Sequence, residues 1–395
     1  MGWRGVTIMD QRIRFISEYL NGFFPFSELC QQFSISRKTG YKWIGRYRDF
    51  GPDGLKDQSR RPLSCPHQTN DQIVQSIIAA RKKHPTWGPK KLLAMIERHH
   101  PDWKLPAIST TAGILNREGL IEPKPRRLRR QHPGCPQTTT RESNDIWTAD
   151  YKGHFKMKNG LYCYPLTVCD MHSRYLLGCE AHDAISLDKS KKHFTHLFQK
   201  YGLPKRIRTD NGVPFASSAI ARLSTLSAWW IKLGIYPEQI EPGQPQQNGK
   251  HERMHRTLKK EATLPPEKNL EQQQARLDFF QNEYNCERPH ESLEMKTPQQ
   301  VYKSSPRSMP DQIEHFNYPA HFEVRRVSRN GGLRWHHHRV PVSSTLIEEY
   351  IGFEEIEDGI YNVYFCNFLI GRFFEEIGRI KDVITRVATR PTIVK

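Results

Sequence analysis

Nowhere in this chain do two cysteines stand two residues apart. The eight cysteines, Cys30, Cys65, Cys135, Cys163, Cys169, Cys179, Cys286 and Cys366, are scattered over 395 residues. That excludes a zinc ribbon or finger and gives no sign of a disulfide framework. They read as small apolar side chains in a reducing compartment. No apolar run approaches the ~18 residues of a membrane span. The opening MGWRGVTIMDQR lacks the apolar core of a signal peptide. A soluble, cytoplasmic protein with no membrane partner is expected. Acid is also short: 42 Asp and Glu stand against 60 Lys and Arg, a net charge of +18. An excess of that size favours a polyanionic partner. Nucleic acid is the commonest one, a ribosomal or membrane-surface role being the alternative.

The length suggests three or four modules. Residues 1–52 read as three helices. Ile13, Ile16 and Leu20 recur at helical spacing, Asn21-Gly22 stops the first helix, and Ser27 opens a short second one. After the turn Ser34-Ile35-Ser36, a basic and aromatic third helix runs from Arg37 to Tyr47. Helix, short turn, basic helix is the helix-turn-helix pattern. Arg37, Lys38 and Lys42 would then face DNA, while Tyr41 or Trp43 packs with Ile44. An ordinary three-helix bundle with a solvated basic face fits the same pattern. Residues 53–69, rich in Gly, Pro and charge, read as a linker.

Residues 70–122 form a second helical unit of related plan, with Ile73, Ile77 and Ile78 on one helix and Leu92, Leu93 and Ile96 on the next. Lys90, Lys91 and Arg117 belong to its basic face. Residues 123–139 are a second, basic linker carrying Lys124, Arg126, Arg127, Arg129 and Arg130. Such a run is either a solvated mobile segment or, beside DNA-binding units, a tracker of phosphates.

From 140 to 304 the character changes. Strands are expected over Ile146–Phe155, Leu161–Asp170, Arg174–Glu180, Arg206–Thr209 and Ile235–Tyr236. Helices are expected over Leu187–Tyr201, Ser218–Leu233 and after Asn248-Gly249, with a trailing helical segment from 270. This is a mixed α/β layer. Residues 315–385 alternate apolar and polar in five short stretches, with Gly331-Gly332 and Asp358-Gly359 as turns, and suggest a small all-β barrel. The run His336-His337-His338 invites a metal reading, but strand alternation would split it across two faces, which favours a solvated edge.

Three carboxylates stand in separate polar frames of the α/β region. Asp150 lies in WTADYKGHF, Asp210 in RTDNGVPF and Glu252 in QPQQNGKHERMHRTLKK. Phosphodiester chemistry in a two-metal site needs clustered acidic oxygen ligands. Asp150 closes an apolar strand, Asp210 ends a strand just before an Asn-Gly turn, and Glu252 opens a helix. His255, Arg256 and Lys259 follow Glu252 at three, four and seven residues, so a cationic stripe on its helix face would hold phosphates. Asp170 reads as a turn-capping residue.

The same frames carry a resemblance. WTADYKGHF, YPLTVCDMHSRYLLG, GLPKRIRTDNGVPF, QPQQNGKHERMHRTLK and YNCERPHESLEMKTP, in this order, resemble the catalytic core of retroviral integrases and of the related bacterial insertion-sequence DDE transposases. The resemblance implies a ribonuclease-H-like fold, with Asp150, Asp210 and Glu252 as the catalytic and metal-binding triad. It implies two Mg²⁺ ions, Mn²⁺ being an alternative, with Asp150 bridging both. The 42 positions between Asp210 and Glu252 exceed the family's usual gap. Glu241 is the rival carboxylate, but it stands before Pro242-Gly243, off the helix.

The reading is therefore a multidomain transposase: N-terminal all-α helix-turn-helix units, a central α/β core and a C-terminal small all-β barrel. It would cleave and transfer DNA strands at the ends of an insertion sequence. Its partners would be double-stranded DNA, as terminal repeats and as target, and further copies of itself on nucleoid DNA. A DNA-binding regulator with a decayed core, or a structure-selective nuclease on the same fold, are the rivals.

Overall fold

The structure is a computed structural model, described here over residues 7–57, 68–121, 138–241 and 245–382. The basic residues Arg126, Arg127, Arg129 and Arg130 fall outside the described residues. The chain forms two compact units, Met1–Thr69 and Asn70–Lys395.

In the first unit, α1 (Ile8–Asn21), α2 (Phe26–Gln32) and α3 (Arg37–Phe50) pack around Phe15, Ile16, Leu29, Cys30, Trp43 and Ile44. Thr7 and Asp10 form a capping box at the start of α1, and the Ser36 hydroxyl caps α3 by accepting from the Thr39 N–H at 3.2 Å. Each satisfies donors that an unfinished helix end leaves open. The expected linker begins later than residue 53. Gly51–Leu55 is a 3₁₀ turn with Leu55 buried, held where Arg12 donates to the Leu55 carbonyl at 2.9 Å and pairs with Asp57.

The second unit opens with α4 (Asp71–Lys83), α5 (Pro89–His99) and α6 (Ile108–Arg117), packed on Ile77, Leu92, Ile96, Ile114, Leu115 and the buried Trp87. Several of its basic groups stay exposed but pair with acids further along the chain. Lys83 pairs with Glu287, His84 with Glu283 at 2.8 Å, and Lys90 with Glu291. Burial, with Arg288 nearby, brings the Lys91 ammonium down to about 8.

The α/β layer consists of β1 (Ile146–Tyr151), β2 (Phe155–Lys156), β3 (Tyr162–Asp170), β4 (Leu176–His182), α7 (Leu187–Tyr201), β5 (Arg206–Thr209), α8 (Thr225–Lys232), β6 (Tyr236–Gln239), α9 (Gly249–Ala262), α10 (Leu270–Asn282) and α11 (Pro298–Val301). β3 lies antiparallel between β4 and β1, and β5 and β6 follow parallel to β1. This is the mixed sheet expected of a ribonuclease-H-like core.

Alternation along the strands sorts the side chains. Trp147 and Ala149 of β1 and Leu166 and Val168 of β3 meet Phe194, Phe198 and Trp230 of α7 and α8. Cys163 and Cys169 of β3 meet Met254 and Leu258 of α9 and Leu277 and Phe280 of α10 on the other face. The helix expected over Ser218–Leu233 is shorter than expected. Residues before Thr225 turn irregularly, with Ala221 and Arg222 at positive φ, and Ser224 caps the helix that remains. Edge strand β4 is covered by amide side chains. Gln274 accepts from the Ala181 N–H at 2.7 Å and donates to the Cys179 carbonyl, Gln281 donates to the Leu176 and Leu177 carbonyls, and Asn285 both accepts from and donates to Leu176.

The C-terminal region holds seven strands, β7 (Glu323–Arg326), β8 (Gly332–Trp335), β9 (His338–Pro341), β10 (Tyr350–Glu357), β11 (Ile360–Phe365), β12 (Phe368–Phe374) and β13 (Arg379–Asp382). The expected closed barrel is not what the pairing gives. β13, β12, β11, β10 and β7 form an open antiparallel sheet, and β8–β9 is a separate hairpin. The hairpin lays Trp335 against Phe353, Tyr361 and Phe373, with ring centroids 4.8–5.0 Å apart. The stretch expected as one strand from Leu333 to Val342 reverses at His336-His337, where His336 takes a φ of 48°. The three histidines are exposed, as the solvated reading requires, but because they lie at a turn.

Candidate active site

Asp150 sits near the end of β1, and strand alternation puts it on the α9 face together with Thr148, two residues back. Thr167, its register partner on β3, faces the same way. α9 then lays His251, Met254, His255, Leu258 and Ala262 down on that face, an apolar stripe at helical spacing. Glu252 stands at the flank of the stripe and is exposed. Asp210 follows β5 and is half-buried. Its Oδ1 accepts from the Gly212 N–H at 3.0 Å, and Asn211 donates to the Ile240 carbonyl at 2.9 Å, so the Asn-Gly turn shapes how this carboxylate is presented.

Burial, then the negative charge of Asp210, and further the charge of Glu252, push the Asp150 carboxyl up to about 7, with Lys152 opposing in part. The charges of Asp210 and Glu252 therefore both bear on Asp150, in a partly desolvated place. A cluster of this kind is short of positive charge, and a divalent cation with oxygen ligands would supply it.

His251, which sequence reasoning did not single out, and His255, which it counted among the cationic groups of the Glu252 helix, lie against Asp150. Asp150, His251 and His255 offer ligand atoms that all fall within 4.8 Å of one another. His255 Nδ1 is 3.6 Å from Asp150 Oδ2. Burial holds both imidazoles neutral, bringing His251 down to about 3 and His255 lower still. The cationic stripe expected on α9 therefore loses a member. Arg256 and Lys259 are exposed, but His255 is buried, neutral and turned to the sheet. The signal was present in KHERMH, whose histidines are four apart on a helix, and in the alternation that places Thr148 and Thr167 beneath them.

Asp170 is fully buried and accepts from the Asn144 and Ser173 N–H groups at 2.8 Å, closing the turn before β4. Glu241 is exposed and off the helix. Arg37, Lys38 and Lys42 project from α3 into solvent, and Trp43 and Ile44 pack beneath them. Arg208 is buried, pairs with Glu238 and donates to the Gln247 carbonyl at 3.3 Å, which ties β5 to the segment leading into α9.

Two sequence families described as integrase core domain match residues 140–245 and 233–298. A helix-turn-helix domain matches 11–62 and a homeodomain-like domain 39–115. The chain is 24% identical over 243 residues to the insertion element IS407 uncharacterized 31.7 kDa protein of Burkholderia multivorans, covering 59% of this chain and 81% of that protein. Among solved structures, the HTLV-2 integrase catalytic core domain in complex with magnesium is 18% identical, with a TM-score of 0.33 over 41% of this chain and 98% of that one. The simian T-cell lymphotropic virus intasome in complex with PP2A regulatory subunit B56 gamma is 16% identical, with a TM-score of 0.35 over 74% of this chain and 97% of that one.

The core matches and the helix-turn-helix units define the class, a DDE polynucleotidyl transferase with DNA-binding domains. The integrase-core and helix-turn-helix matches together with the insertion-element relative support an insertion-sequence transposase with an integrase-type core, whose activity is DNA strand cleavage and strand transfer. Cores of this type depend on a divalent metal ion. Among the described residues no helix is long and apolar enough to cross a membrane.

Proposed function

We propose that the chain acts at the ends of its own insertion sequence, with Asp150, Asp210 and Glu252 as the ligands of two divalent cations, Mg²⁺ or Mn²⁺. The observation that carries this is that the charges of Asp210 and Glu252 both bear on the partly buried Asp150 carboxyl. When bound, a cation pair would activate the attacking oxygen and stabilise the leaving one. Asp150, on β1, would be a ligand shared by both ions. Asp210, fixed by its turn, and Glu252, on the first turn of α9, each complete one side. Arg256 and Lys259, exposed further along α9, would hold the scissile or target phosphates.

End recognition belongs to the N-terminal helices in this reading. Arg37, Lys38 and Lys42 of α3 would reach the terminal repeat, and Arg126, Arg127, Arg129 and Arg130 would track phosphates. Residues 1–52, 70–122, 140–304 and 315–385 would serve as end binding, second helical unit, catalysis and a C-terminal small β domain. Several copies would assemble on DNA at the nucleoid, in the cytoplasm.

The test is cleavage of a labelled duplex carrying the element end, with Mg²⁺ or Mn²⁺, by wild type and by Asp150→Asn. Wild type should nick at the end. The variant should lose cleavage by on the order of 10³-fold or more while keeping end binding. Retained cleavage by Asp150→Asn would remove the site assignment.

A further inference from the structure

Beneath Asp150, the hydrogen-bonding partners dictate where the protons lie. Thr167 Oγ1 is 3.0 Å from the Asp150 carbonyl oxygen, 2.7 Å from His251 Nε2 and 2.7 Å from His255 Nε2. A hydroxyl has one proton to give and two lone pairs to receive with. The carbonyl can only accept, so it takes the hydroxyl proton, and both imidazoles must donate. This is the one assignment that satisfies all three contacts.

His251 accordingly carries its proton on Nε2. Its bare Nδ1 accepts from the Thr148 hydroxyl at 2.7 Å, which completes that ring. His255 also carries its proton on Nε2, so Nδ1 is the ring nitrogen left to bind a cation. That nitrogen faces Asp150 Oδ2 at 3.6 Å, too far for a hydrogen bond. A ring nitrogen and a carboxylate oxygen thus stand side by side without a hydrogen bond between them.

The spacing suits a metal ion. Two donors each ~2.1 Å from one cation, at angles of about 90–120°, stand roughly 3.0–3.6 Å apart. A ligating histidine also typically gives its other ring N–H to an oxygen acceptor, which fixes the tautomer and aims the lone pair. His255 does this to Thr167.

We propose that His255 Nδ1 is a nitrogen ligand of the divalent cation held by Asp150, making that position a mixed nitrogen–oxygen site. The proposal rests on the reading of Asp150 as a cation ligand. His251 is a positioning residue, since Thr148 and Thr167 engage both of its nitrogens. Imidazole suits first-row transition ions better than Mg²⁺, which prefers oxygen. The site should therefore hold Mn²⁺ more tightly than an all-carboxylate site would.

Pulsed electron paramagnetic resonance on the full chain with Mn²⁺, without DNA, tests this directly. Wild type should show a directly coordinated ¹⁴N. His255→Asn should lose that coupling and bind Mn²⁺ at least about tenfold more weakly, while its Mg²⁺ affinity changes much less. Mn²⁺ bound by wild type without ¹⁴N coupling, a coupling that persists unchanged in His255→Asn, or no Mn²⁺ binding up to millimolar concentration would each overturn the proposal. The wild-type spectrum alone decides the matter if the variant fails to fold. An Asp150→Asn arm separates the two readings. Mn²⁺ binding that ignores Asp150→Asn removes Asp150 as a ligand. Binding that depends on Asp150 without a nitrogen signal removes only His255.

Discussion

Arg288 Nη1 donates to both carboxylate oxygens of Glu261, at 2.8 and 3.0 Å, and the pair is largely buried. Glu261 belongs to the last turn of α9, the helix that carries Glu252, and it also accepts from the Thr86 hydroxyl. Arg288 in turn lies over the rings of Trp87 and Tyr284. One ion pair thus joins α9, the segment after α10 and the second helical unit. Removing one partner of such a pair leaves an uncompensated charge. Arg288→Ala is expected to cost about 3 kcal/mol in urea unfolding. A double-mutant cycle with Glu261→Ala should give a coupling of about 1 kcal/mol or more. Additive effects would show that the pair is not coupled.

Asp150 makes the metal-free protein sensitive to pH. Its carboxyl is raised from 3.8 to about 7 in the folded chain. Below the unfolded value both states are protonated and no stability is lost. Between about 4 and 7 the unfolded state releases its proton and the folded state does not, so stability falls as pH rises, then levels off. Asp150→Asn should abolish this fall and raise metal-free stability at pH 8 by roughly 2–4 kcal/mol. Thermal unfolding in chelator at pH 5 and pH 8 checks it. A wild-type protein more stable at pH 8 than at pH 5, with no change in that difference on substitution, would contradict it.

Two glycines of α3 should respond oppositely. A Cβ on Gly40 would lie 2.8 Å from the Phe26 ring and 2.9 Å from Cys30 Sγ, whereas a Cβ on Gly45 meets nothing within 4 Å. Gly40→Ala should destabilise the first unit by about 1–3 kcal/mol through overpacking. Gly45→Ala should stabilise it by about 0.5–1 kcal/mol through helix propensity. Calorimetry of the two variants gives the signs.

Arg37, Lys38 and Lys42 bear on affinity through phosphate charge if α3 lies on DNA. Changing all three to Ala should lower the magnitude of the slope of log K against log salt by up to about 2.7, near 0.9 per lost phosphate contact. Filter binding to duplex DNA across a salt series measures this. An unchanged slope would return α3 to the solvated-face reading.

The positions of the three proposed carboxylates were legible because each stands at a boundary the sequence marks: Asp150 at a strand end, Asp210 before Asn-Gly, Glu252 after Asn-Gly. The helix over Leu187–Tyr201 and the strand over Arg206–Thr209 were legible to the residue, because their periodicity is clean. His255 was misread because helical spacing says which residues share a face, not how far that face sinks into the sheet. The partner of Lys90 was out of reach for a related reason. Its charge is visible in the sequence, but Glu291, which pairs with it, lies 201 positions further on. The Leu333–Val342 reversal was hidden because its turn is built from two histidines, without the Asn or Gly that usually marks a two-residue hairpin.

The amides of Gln274, Gln281 and Asn285 occupy much of the backbone of β4 from Leu176 to Ala181. A strand so engaged has few N–H and C=O groups left to offer an extended peptide. Copies gathered at high local density along one DNA molecule would then be discouraged from polymerising edge to edge through this strand. Chains that must crowd together to act would stay separable when the work is done.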